Sequence, residues 1–77
     1  MAELEVLENA TDNMIRGFKE IYTESKDAGH AIDKMQEPSH DNEKLIRGIE
    51  KYADEIIAEL ELLKQDIEKW KDETKSA

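Results

Sequence analysis

Both histidines of the chain stand three residues after an acid, as Asp27-x-x-His30 and Glu37-x-x-His40. An acid and a histidine one turn apart on bundle helices form half of a carboxylate-bridged metal site, which glutamates from facing helices complete. The surroundings argue against that chemistry. The first pair straddles Gly29 and the second straddles Pro38, so neither is expected to hold both ligands along one continuous helical face. The residues expected to line the interior of the second half are Ile, Ala, Leu and Trp, with no inward carboxylate. The two histidines read as solvent-facing residues near a turn, and no metal or cofactor is expected.

Other reactions lack their signatures too. There is no nucleophile elbow, Gly-rich phosphate loop or zinc-ligand spacing. Two packed helices leave no concave pocket of enzyme size. No catalytic residue is assigned, and the chain is not expected to be an enzyme.

The elements around these residues follow from composition and pattern. The 77 residues include 20 acids and 11 bases, for a net charge of −9, and no cysteine. One domain is the most that this length holds. A core this small usually needs a disulfide, a metal or a partner copy, and the absence of cysteine removes the first. The charge repels nucleic-acid phosphates and anionic membranes, so direct nucleic-acid binding is not expected. The opening MAELEVLE lacks a basic n-region and a long apolar run, and no stretch approaches the roughly 18 apolar residues of a membrane span. The expectation is a cytoplasmic protein with no membrane contact.

Apolar and small residues recur at alternating spacings of three and four: Leu4, Leu7, Thr11, Met14, Phe18 and Ile21, continuing to Met35. After Pro38 the pattern restarts at Ile46 and runs through Ile49, Ala53, Ile56, Leu60 and Trp70. Written as heptads, this predicts helix 1 over about 2–36, a turn over 37–40 and helix 2 over about 40–75. Pro38 is expected to stop the first helix, and Ser39 or Asp41 to cap the second. A connection this short brings the helices back antiparallel. Folding about residues 37 and 38 sets Leu4 against Trp70 and Glu8 near Lys64; a fold one layer later, near Ser39 and His40, is the alternative. A break at Gly29, with a separate turn over 30–36, is a further alternative.

The fold class is therefore all-α, an antiparallel two-helix hairpin with coiled-coil-like heptads forming a single domain, 1–77. Ile15, Tyr22 and Ile57 at e positions and Leu45 and Tyr52 at g positions lie outside the a/d stripe, and one hairpin cannot cover them. A second hairpin would, which predicts a homodimeric four-helix bundle. The candidate partner or oligomer interface is Ile15, Phe18, Tyr22, Tyr52, Ile57 and Trp70. In helix 2, Glu59 and Lys64, and Asp66 and Lys71, stand five apart, a spacing that pairs parallel in-register copies instead.

MIRGFKEIY (14–22) and LIRGIEKYA (45–53) echo each other at an offset of 31, which is not a multiple of seven. Chance likeness of two amphipathic helices is one reading; a duplicated hairpin or a shared partner face, with Gly17 and Gly48 admitting close approach, is the other. The functional expectation is a non-enzymatic protein-binding module, a small regulator, chaperone or assembly partner that pairs with itself and with another protein. The alternative is an acidic DNA mimic that inhibits a DNA-binding protein or nuclease. In size and charge alone the chain resembles phage-encoded anti-restriction and anti-CRISPR proteins. A purely structural coiled coil is the third reading.

Overall fold

Two runs of helix-compatible residues, each interrupted only by glycine, fold into two long helices in a computed structural model that describes residues 2–37 and 39–76. Helix α1 spans Ala2–Asp33 and helix α2 spans His40–Ser76, and they pack against each other as an antiparallel hairpin. The result is a rod with principal extents of 62 × 15 × 14 Å.

Helix α1 ends at Asp33, three residues before the expected limit. Its last turn tightens, with Lys34 N–H donating to Ala31 O at 3.2 Å and Met35 N–H to Ile32 O at 3.1 Å. These shorter-range bonds satisfy carbonyls that the α pattern leaves open at a C-terminus. Pro38, assigned the role of helix stop, lies outside the described residues. Ser39 is the cap of α2: its Oγ accepts from Asn42 N–H at 3.4 Å and its carbonyl from Glu43 N–H at 3.0 Å. Asp41 and Glu43 in the first turn add negative charge at the positive end of the helix dipole. Because the Oγ bond is long, Ser39→Ala should cost about 0.5 kcal/mol, the low end of capping losses, in urea unfolding followed by circular dichroism.

The helix does not break at Gly29. No glycine has a positive φ, and Gly29 is buried where α2 crosses it. A Cβ built there would sit 3.9 Å from Ile46 Cγ2 and Arg47 Nη1, an ordinary contact. Gly29→Ala should therefore fit and stabilise the hairpin by about 1 kcal/mol, the helix-propensity difference, seen as a raised urea midpoint.

The seam departs from the heptad stripe. In α1 the residues turned toward α2 run Leu4, Leu7, Thr11, Ile15, Phe18 and Tyr22, so the spacing from Thr11 to Ile15 is four where the heptad requires three. Ile15 is 8% exposed, whereas Met14 and Ile21, assigned to the heptad stripe, are each 42% exposed. A straight helix has 3.6 residues per turn, so a strict seven-residue stripe drifts by about 20° per heptad unless the helices supercoil. The interface follows the drift, moving from the fourth position of the heptad to the fifth. Helix α2 behaves alike: Glu50 and Lys71 turn partly inward beside an exposed Ile49 and Trp70.

The core is thin. Ile15, Ala53 and Ile67 are its buried apolar residues, joined by Thr11 and Ser25. The hydroxyl of Thr11 donates to Leu7 O at 2.7 Å, which satisfies the one polar group that its full burial would otherwise strand.

Candidate functional site

Charge closes one side of the seam. Lys71 Nζ meets Glu8 Oε2 at 2.8 Å, Lys64 Nζ meets Asp12 Oδ1 at 3.1 Å, Glu61 Oε1 meets Lys19 Nζ at 4.0 Å, and Arg47 Nη2 meets Asp33 Oδ2 at 2.9 Å. These pairs are centred on residues 38 to 40, which corrects the register. Glu8 reaches Lys71, one heptad beyond the Lys64 that folding about residues 37 and 38 would give it. Lys64 and Lys71 are thus paired within their own hairpin.

The pairs are exposed or, for Lys71 and Glu8, partly buried, and each contributes little alone. Their value is as markers of a side. The hydrogen bond to Glu8, followed by that carboxylate's charge, raises the pKa of Lys71; Glu43 by hydrogen bond and Asp33 by charge raise that of Arg47. A raised folded-state pKa means that the Lys71 pair is intact below the unfolded lysine value and is lost as pH rises through the folded one. Glu8→Gln should therefore lower the alkaline titration midpoint of Lys71, followed by NMR of its ε-methylene.

The other side of the seam is apolar. Met14 lies two residues from Asp12, and Ile21 two from Lys19, a separation of about 200° around a helix. Leu45 and Arg47, and Leu63 and Glu61, are likewise two apart. The cross-helix ion pairs fix one side common to both helices, so these apolar residues share the opposite side. Tyr52 follows Leu45 by seven residues and Trp70 follows Leu63 by seven, which places them in the same row. Exposure agrees with the asymmetry: Val6 is 67% exposed, Leu45 63% and Tyr52 68%.

The six residues assigned to an interface therefore divide. Tyr52 and Trp70, 41% exposed, stand on the apolar face. Ile15 is buried in the seam, and Phe18, Tyr22 and Ile57 are half-buried along it. Trp70 does not cap Leu4, which instead lines a shallow hollow with Glu5, Lys71, Thr74 and Lys75. Met14, Ile21 and Ile49 belong to the heptad stripe by spacing yet stand at the surface. The signal available for them was the e-position Ile15 and Tyr22, which offer a second seam one residue on.

His30 and His40 are both exposed, as are Asp27 and Glu37. Among the described residues no three His, Cys, Asp or Glu side chains come together as metal ligands, and no helix is long and apolar enough to cross a membrane. Compared with family models, curated proteins and solved structures, the chain gives no match.

Proposed function

We propose that this chain is a non-enzymatic helical module that acts by binding a protein through its apolar face. The observation that carries the reading is the segregation itself: cross-helix ion pairs lie on one side of the seam and large exposed hydrophobics on the other. Contiguous exposed apolar surface marks interaction sites on small proteins. The thin core supports the same reading, because a hairpin whose buried apolar residues, among those described, are Ile15, Ala53 and Ile67 gains most from a layer laid over Met14, Ile21 and Tyr52. A second hairpin there would complete a four-helix bundle, and a helix from another protein a three-helix one.

A DNA-mimic role is the weaker reading. The net charge of −9 supports it, but Lys44, Lys51 and Lys69 interrupt the acids along the outer face of α2, and other lysines neutralise acids across the seam. The test is a photo-crosslinking amino acid placed at Tyr52, on the apolar face, or at Glu61, across the seam, in the native host. Adducts from position 52 alone, insensitive to added DNA, are expected. Equal yields at both positions, or adducts that DNA competes away, would overturn the reading.

A further inference from the structure

Gly17 and Gly48 occupy matching places in the two echoed segments. A Cβ built at either meets nothing within 4 Å, and neither has a positive φ, so neither internal packing nor backbone conformation requires glycine at these places. Each weakens its helix. Each also sits on the apolar face between exposed hydrophobics three residues before and four after: Met14 and Ile21 around Gly17, Leu45 and Tyr52 around Gly48. The echo is thus a repeated surface shape, a notch floored by backbone between two apolar posts. An offset of 31 does not separate the two in role, because the seam drifts within each helix.

The notches lie on different helices of one face. Gly17 is near the level of Glu61, through the Lys19 pair, and Gly48 is beside Arg47. They are separated by roughly 20 Å along the rod at 1.5 Å per residue, the length of a three- to four-turn helix. Small residues at such points let two backbones approach closely. Of the exposed charged residues bordering the face, Glu3, Glu24, Asp41 and Glu59 are acids, and Lys44, which lines the hollow over Gly48 together with Asp41, is a base. A twin laid face to face would set acid against acid, whereas a helix edged with lysine or arginine would find partners on both borders.

We infer that, granting the protein-binding reading, the apolar face is a seat for a single basic amphipathic helix of a different protein, lying diagonally over Gly17 and Gly48. The test uses the full chain, a fluorescein-labelled 18-residue amphipathic peptide of leucine and lysine, its leucine and glutamate counterpart, and sedimentation equilibrium of the protein alone. The protein should sediment as a monomer, bind the Leu/Lys peptide, and ignore the Leu/Glu peptide. Gly17→Leu and Gly48→Leu should each weaken the Leu/Lys complex at least tenfold while keeping full helicity by circular dichroism. Non-specific stickiness would move the other way, since each variant adds apolar surface. Equal or tighter binding by the leucine variants, or equal binding of both peptides, overturns the inference. A dimer that the leucine variants dissociate makes a second copy the occupant, which overturns the inference and leaves the protein-binding reading standing. A monomer that binds neither peptide, and gives no adduct from position 52 in the host, sinks both.

Discussion

Ile67→Ala should unfold most of the protein at 25 °C. Ile67 is fully buried, at 0% exposure, and among the described residues only Ile15 and Ala53 are buried apolar residues besides it. Removing its side chain costs the transfer energy of the deleted carbons and leaves a hole, together about 2–5 kcal/mol. A core of this size supplies about 3–5 kcal/mol of net stability, so the two quantities are comparable. Helical ellipticity should fall to that of a largely disordered chain, and what remains should melt without a clear transition. A midpoint within a few degrees of the parent would show that Ile67 is not where the hairpin is held.

Ala53→Leu should force the two helices apart. Ala53 is 2% exposed and faces the stretch of α1 that carries Ser25 and Gly29, both buried. Small residues on both sides mean that neighbouring side chains have nowhere to retreat, and overpacking of this kind costs about 1–3 kcal/mol. Urea unfolding should show a lower midpoint with an unchanged slope. The contrast with Gly29→Ala is the control: one added carbon meets contacts at 3.9 Å and fits, whereas three more at position 53 do not. If leucine at 53 stabilised the protein, the helices would have to be further apart than described.

Much of the fold was legible in the residue pattern. Two long helices, their antiparallel return and the cap at Ser39 follow from spacing, the proline and the polar cluster between them. Register and rotation were not legible, for one physical reason. Ile15 and Tyr22 directly follow Met14 and Ile21, so the sequence supports two seams one residue apart. Supercoiled helices would use the first of each pair and straighter helices use the second, and composition does not choose between them. The same ambiguity misplaced Trp70 and hid the continuity of the apolar face. Tyr52 was legible as surface because no seam in either phase reaches it.

The one-sided placement of the ion pairs also decides how the molecule gives way. Four fastenings along a single border, each weak, act together as the spine of a book. When thermal motion parts the two covers, they should swing about that spine, the gap widening first along the fore-edge carrying Met14, Ile21 and Tyr52. An incoming greasy side chain would thus find the pages already loosest where it arrives.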